Sequence, residues 1–292
     1  MTLLVKDEID IVESVIRYHR SVGVDFVVVT DNTSTDGTLE VLLRLKEEGL
    51  VDVLIEEPSD DYSQAKWVDR MIRVCADSGC DWVMNCDADE FWYPKSGSIK
   101  TELENTRATV LLCPIYNVLP EVEPFYKNTR RIERSIDVKK YGIGTYSLFG
   151  TSIPKVIHRV DGYTMIHMGN HMVDSEKLSV IESSSISIFH YSIRGSEHFV
   201  RKMVAGGAAY ERNTKLGKNV GAHWRHYYNG MKDGSLDLQE EYKHFIRADL
   251  WDGLEKKGVI VRNTAISDYF SRNNVIGSDA TKEYRNTASI KD

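Results

Sequence analysis

Four short apolar runs, separated by three stretches of helical spacing, lie between residues 3 and 84 and leave few folds open. Residues 3–5 form the first run. Residues 9–22 follow, with Val12, Val15, Ile16, His19 and Val22 along one stripe, a repeat that predicts a helix ended by Gly23. Phe26-Val27-Val28-Val29 is continuous and β-branched, as expected of a strand covered on both faces. A turn-rich segment, residues 31–37, precedes a helix whose inner face is Leu39, Leu42 and Leu43, with Asp36 placed to cap it. Gly49 ends that helix and residues 51–55 are a third strand. Ser63 then opens a helix bearing Trp67, Val68, Met71, Ile72 and Cys75, and Trp82-Val83-Met84 is a fourth buried strand. Repeated β–α–β units predict an α/β fold with a mostly parallel, Rossmann-like sheet flanked by helices.

In such sheets ligands bind beyond the carboxyl ends of the strands. Two polar segments fall there. Asp87-Ala88-Asp89 follows the fourth strand, and carboxylates spaced by one residue on a strand point the same way. Nothing in the local sequence neutralises them and Glu90 adds a third acid, so a cation is expected to join the group. Mg²⁺ and Mn²⁺ suit such oxygen ligands, completed by substrate phosphates. The plainer reading of the motif is a solvated acidic turn. At the other segment, Asp31 ends the second strand and can accept hydrogen bonds from a nucleobase or a ribose.

Beyond residue 94 the pattern loosens. Residues 110–113 and 185–189 read as strands, 116–165 as strands joined by long loops, and 197–210 as a helix. Helices around 238–257 and a polar tail complete the chain. A boundary near residue 125 separates a donor half (1–125) from an acceptor-side half (126–210), followed by a mainly helical C-terminal extension (211–292). The chain carries 44 acidic against 37 basic residues, a balance that argues against a nucleic-acid partner. Cys75, Cys80, Cys86 and Cys113 fit neither zinc spacing nor a disulfide framework. The opening apolar run is too short for a signal peptide and no stretch reaches the length of a bilayer span. A cytoplasmic protein with at most peripheral membrane contact is expected.

Val5-Lys6-Asp7-Glu8, Tyr18-His19-Arg20 with Gly23, Asp31-Asn32-x-Ser34-x-Asp36-Gly37-Thr38, and Asp81-Trp82-Val83 with Asp87-Ala88-Asp89-Glu90-Phe91 occur in that order. They resemble family 2-type glycosyltransferases of GT-A fold, the branch with a "DN-S-DGT" turn and a "D-DEF" motif. Lys155-Val156-Ile157, Gly169-Asn170-His171, His190-Tyr191, Arg194-x-Ser196, Lys202 and Gly206 extend the resemblance over residues 3 to 210. It implies an inverting transfer from a nucleotide diphosphate sugar to a glycan or glycolipid hydroxyl, with Mn²⁺ or Mg²⁺. It also implies Asp31 near the nucleobase, Asp87 near the ribose or metal, and Asp89 on the metal.

His190, at a strand end, is a further candidate metal or diphosphate ligand. Lys6, Glu8, Gln64, Lys66, Ala88, Arg194 and Lys202 join Asp31 and Asp87 as candidates to line the donor pocket. Lys155, Arg159 and Arg201 are further candidate anion binders. The "ED" pair and Q-x-x-R-W segment of well-known family 2 synthases are absent, so the base comes from residue chemistry alone. The candidates are Asp174, Glu176, His171 and Asp161, with Asp174 first because it lies just past Gly169-Asn170-His171. A metal-dependent nucleotidyltransferase, a D-x-D phosphatase and a non-catalytic nucleotide or sugar binding module remain alternatives. The nucleotidyltransferase lacks its Gly-rich loop after residues 3–5, and the phosphatase would place the acid pair at the first strand.

Overall fold

The computed structural model describes residues 1–59, 63–143, 149–150, 152–177, 179–212, 217 and 221–273. Its first part is β1 (Thr2–Val5), α1 (Val12–Ser21), β2 (Val28–Asp31), α2 (Thr38–Glu47), β3 (Val53–Glu56), α3 (Gln64–Asp77) and β4 (Trp82–Asp87). These four strands pair in parallel, β4 and β2 flanking β1 and β3 beside β2. Side chains alternate across the sheet. Leu3, Val5, Val27 and Val29 pack with the apolar stripe of α1 and with α2, whereas Leu4 and Val28 meet Val68, Met71, Ile72 and Cys75 of α3. Burial on both faces is what the continuous β-branched runs require. The second strand begins at Val28, two residues later than the run that predicts it. Asp36 accepts the Thr38 N–H at the start of α2, while Ser63 stands at the N-cap of α3 without a capping bond.

The chain continues through β5 (Glu90–Tyr93), α4 (Ile99–Glu104), β6 (Val110–Cys113), β7 (Ile115–Asn117), β8 (Arg130–Ile132), α5 (Val138–Tyr141), β9 (Lys155–Arg159), β10 (Tyr163–Ile166), β11 (Val173–Ser175), β12 (Ile181–Ser183) and β13 (Ser187–His190). It closes with α6 (Ser196–Arg212), α7 (Ala222–Asp233), α8 (Leu238–Tyr242), α9 (Ala248–Lys256), β14 (Ile260–Arg262) and α10 (Ala265–Asn273). The main sheet has the order β12-β6-β9-β4-β1-β2-β3, and β9 runs antiparallel to both neighbours. The fold class expected from the sequence, a mostly parallel sheet flanked by helices, is the one observed. A second sheet, β5-β13-β7, stands at the carboxyl end of β4. Its strands are three or four residues long, and it sets His190 opposite both Glu90 and Asn117.

A second core joins Leu119, Ile132 and Phe149 to Phe199 of α6, Tyr227 of α7, Phe245, Trp251 and Ile260. The helices expected around 238–257 are α8 and α9, joined by a 3-10 turn at Lys243–Phe245. In an unbroken helix Phe245 and Trp251 would lie about 120° apart; the break lets both face inward. From there α10 returns to the first core, where Phe270 meets Phe91 edge-on. All four cysteines are free thiols, with Cys80 the least buried. The polar tail from residue 274 onward lies outside the described residues.

Helices α6 and α7 pack closely because Gly206 and Gly207 face Trp224 and Tyr228. A Cβ on Gly207 would lie 2.2 Å from Tyr228 Cβ and 2.9 Å from the Trp224 carbonyl oxygen, neither of which moves without the backbone. Gly207→Ala is therefore expected to destabilise the protein by about 1–3 kcal/mol despite the better helix propensity of alanine. A urea titration against the wild type checks this.

Candidate active site

The loops after β1 and β2 are knitted together at the carboxyl edge of the sheet. Lys6 Nζ donates to the Asn32 carbonyl (2.8 Å) and the Thr33 hydroxyl, and the Thr35 N–H donates to Asp7 at 2.6 Å. Asp36 also receives the Ile9 N–H. Asp7 and Thr33 both hold positive φ, 55° and 53°, a strain these cross-loop bonds sustain. Asp31 is 1% exposed. Its Oδ2 accepts the Ser34 N–H, while its buried Oδ1 has no hydrogen-bond partner among the described residues. Next to it, Asn32 donates to the carbonyls of Glu57 and Ser59. Beyond Ser59 lies a groove of about 450 Å³ lined by Glu57, Lys66 and Arg70 among others, with Gln64 at the first turn of α3 nearby.

Asp87 ends β4 and the chain turns at Ala88-Asp89 before β5 begins. Because Asp89 is already outside the strand, the two carboxylates do not share a direction. This corrects the expectation from their spacing. Asp87 pairs with Lys155 (2.6 Å), which also holds Glu90 (2.8 Å). Glu90 further accepts the Asp87 N–H and the Trp92 indole N–H. Trp92 is thereby a core residue beneath the site. Asp89, 4% exposed, pairs with Lys202 of α6 (2.5 Å) and lies 3.3 Å from His190 Nε2.

Nothing close in sequence neutralises the acids, yet two lysines distant in sequence do. Burial pushes the Asp89 carboxyl up, but Lys202 and His190 override it and hold the group well below the usual carboxylate range. Burial lowers the His190 imidazole, and Asp89 outweighs it so that the net shift is upward. Glu90, by contrast, is raised because its burial outweighs Lys155. Among the described residues no three Asp, Glu, His or Cys side chains converge as a ready-made metal cluster. Asp89 and His190 nevertheless offer an oxygen and a nitrogen of the kind divalent ions accept.

Arg194 fastens the β1–α1 loop to the segment before α6. Its side chain is 1% exposed, and Nε and Nη2 donate to the two oxygens of Asp10 (2.7 and 2.8 Å). It also donates to Glu8 and to the Tyr191 carbonyl. Lys202 Nζ stands 3.9 Å from Glu8, linking this knot to Asp89. Burial raises the Glu8 carboxyl against the pull of Arg194. For Asp10 the same burial is overridden and Arg194 keeps the carboxyl low.

The four base candidates sit around the β10–β11 hairpin. The His171 ring is half-buried, with Nδ1 3.1 Å from the Pro154 carbonyl oxygen, one residue before Lys155. A carbonyl only accepts, so Nδ1 carries a proton, which leaves Nε2 as the nitrogen able to exchange one. Asp174 is exposed and bonded to His167 (3.0 Å), and Glu176 is exposed in the following turn. Among the described residues neither contacts Asp31, Asp87 or Asp89. Asp161 pairs with Lys177. Arg159 is turned away: antiparallel β9 puts it opposite Trp82, at the amino end of β4, where it stacks on the indole. Arg201 is exposed on α6.

Residues 3–250 match the profile of glycosyltransferase family 92. The chain belongs to glycosyltransferase family 92. Among solved structures, S. aureus TarS 1-349 in complex with UDP is similar to this glycosyltransferase at 13% identity and a TM-score of 0.42, over 78% of this chain and 68% of that one. The same protein with UDP-GlcNAc gives 13% identity and 0.43, over 78% and 69%. No curated protein matches by sequence. Among the described residues no helix is long and apolar enough to cross a membrane.

Three residues of the candidate site were not found from the sequence. Asp10 lies in the acidic loop after β1, where its place beside Glu8 was the available signal. Asn117 and His198 carry no local signal. Asn117 bonds to His190 at 2.8 Å, and His198 stands 3.9 Å from Glu8. His223-Trp224-Arg225-His226 lies on α7, with Trp224 against Gly206 and a burial-lowered His223 near Lys202.

Proposed function

We propose that this glycosyltransferase takes its sugar from a nucleoside diphosphate donor laid across the carboxyl ends of β2, β1 and β4. The observation that carries the reading is the pair of sites flanking β1: the open Oδ1 of buried Asp31 on one side, and Asp89 with His190 beyond β4 on the other. Two strand spacings, about 10 Å, separate β2 from β4, a span of the order between a nucleobase and its diphosphate. The groove beside Ser59 and Lys66 extends the Asp31 side.

Asp31 would accept a base N–H or a ribose hydroxyl. Mn²⁺ or Mg²⁺ suits the other side: Asp89 Oδ1 and His190 Nε2 stand 3.3 Å apart, an oxygen and, in the neutral ring, a nitrogen that one divalent ion can share. Asp87, 38% exposed and paired with Lys155, points elsewhere and would serve the ribose side of the donor. A divalent ion bound there would offset the charge of the leaving diphosphate. Lys202 supplies a movable cation for a phosphate oxygen, and Arg194 holds Glu8 and the base of α6 in place.

An acceptor hydroxyl of a glycan or glycolipid attacks the anomeric carbon from the opposite face, which inverts it. Of the four base candidates, His171 suits the role best. With Nδ1 bonded to the Pro154 carbonyl, one residue before Lys155, Nε2 would take the proton, whereas Asp174 and Glu176 are exposed on the hairpin and Asp161 is paired with Lys177. The expected setting is cytoplasmic, with peripheral contact where the acceptor is lipid-linked.

A thermal-shift panel of nucleoside diphosphates, with and without Mn²⁺, tests the donor reading. One nucleotide is expected to raise Tm only when Mn²⁺ is present. Asp31→Asn is expected to weaken that nucleotide about tenfold or more, the worth of one hydrogen bond to a charged group. Equal stabilisation of wild type and Asp31→Asn would remove Asp31 from the donor site.

A further inference from the structure

Strands β5, β13 and β7 deliver Glu90, His190 and Asn117 to one row of the small sheet. Asn117 is 4% exposed and its Oδ1 lies 2.8 Å from His190 Nδ1. Its other amide atom, Nδ2, donates to the Gly150 carbonyl at 3.4 Å. That second bond fixes the orientation of the amide. A carbonyl oxygen only accepts, so the NH₂ group faces Gly150 and the amide oxygen must face the imidazole. The amide oxygen also only accepts, so Nδ1 of His190 carries a proton. In the neutral ring Nε2 is then the lone-pair nitrogen, and it is the atom that faces Asp89.

We infer that Asn117 is a positioning residue, which selects the tautomer and orientation of His190 so that Nε2 is presented to a cation held with Asp89. The inference rests on the metal reading given above. Without an acceptor at Nδ1 the neutral ring is free to carry its proton on Nε2. That nitrogen would then donate to Asp89 and close the pair to a divalent ion. Outer partners of metal-bound histidines act in this way, and their loss costs about 10–100-fold in metal affinity. Asn117 itself touches neither Asp87 nor Asp89 among the contacts of the described residues, so its effect passes through the imidazole.

Two variants of the full chain separate positioning from packing. Asn117→Leu keeps the branched shape and removes the acceptor; Asn117→Asp keeps an acceptor at Nδ1 and the size. Mn²⁺ alone is the probe, titrated by electron paramagnetic resonance of the free ion. Asn117→Leu is expected to bind Mn²⁺ about 10–100-fold more weakly than wild type, and Asn117→Asp to stay within about threefold. A second readout needs no metal: ¹⁵N spectra of the neutral His190 ring should show the proton on Nδ1 in wild type and Asn117→Asp, and a shift toward Nε2 in Asn117→Leu. Equal Mn²⁺ binding by wild type and Asn117→Leu, or equal loss in both variants, overturns the inference. An unchanged tautomer in Asn117→Leu also overturns it. Should wild type bind no Mn²⁺ while the tautomer still responds to Asn117, the metal reading fails, and the inference as a statement about cation binding fails with it.

Discussion

Asp89→Asn is expected to reduce sugar transfer by about a thousandfold while leaving a folded protein. Among the described residues Asp89 is the carboxylate paired with both His190 and Lys202, so its charge organises both the proposed metal ligand and the proposed phosphate cation. Loss of a single preorganised electrostatic contact at a developing charge costs about 3–4 kcal/mol of transition-state stabilisation. The asparagine keeps the shape of the turn between β4 and β5. Lys202 keeps Glu8 at 3.9 Å as a residual counter-charge, which limits the damage to the fold. Turnover measured at saturating donor, alongside circular dichroism of the same sample, separates the two effects. Near-normal turnover in a folded Asp89→Asn protein would remove Asp89 from the chemistry.

The largest effect on stability is expected at Arg194. Its guanidinium is buried and joins Asp10 and Glu8, which come from the far end of the chain, to the Tyr191 carbonyl. Arg194→Met leaves two partly buried carboxylates without their partner. Breaking such a group from one side costs about 3–5 kcal/mol, because the stranded charges remain. A triple variant, Glu8→Gln with Asp10→Asn and Arg194→Met, removes the stranded charges as well and is expected to recover much of the loss. Urea titrations of the two variants check this. A single variant as stable as wild type would mean the knot does not fasten α6 to the β1–α1 loop.

The parallel part of the fold was legible because each of its elements spans enough residues to show a period. The α1 stripe and the β-branched run at Phe26 to Val29 have no other comfortable reading, and both were buried as expected. Asp31 and Asp87 were placed at strand ends by the same logic. The direction of Asp89 was not legible, since one residue decides whether it belongs to the strand or to the turn. Arg159 went to the wrong end because an apolar run does not reveal that β9 is antiparallel. Asn117 and His190 meet through strands of three or four residues, too short to leave a periodic trace. The lysines that hold Asp87, Glu90 and Asp89 come from β9 and α6, so their role rests on tertiary packing rather than on any local motif.

The release of nucleoside diphosphate from a panel of nucleotide sugars, followed with Mn²⁺ and then with excess chelator, tests the central reading most directly. One donor should be turned over in the presence of the ion, and the release should cease on chelation and in Asp89→Asn alike. Release that continues undiminished in the chelated enzyme and in Asp89→Asn would show that the sugar is transferred without the carboxylate at the tip of β4 or any ion it holds.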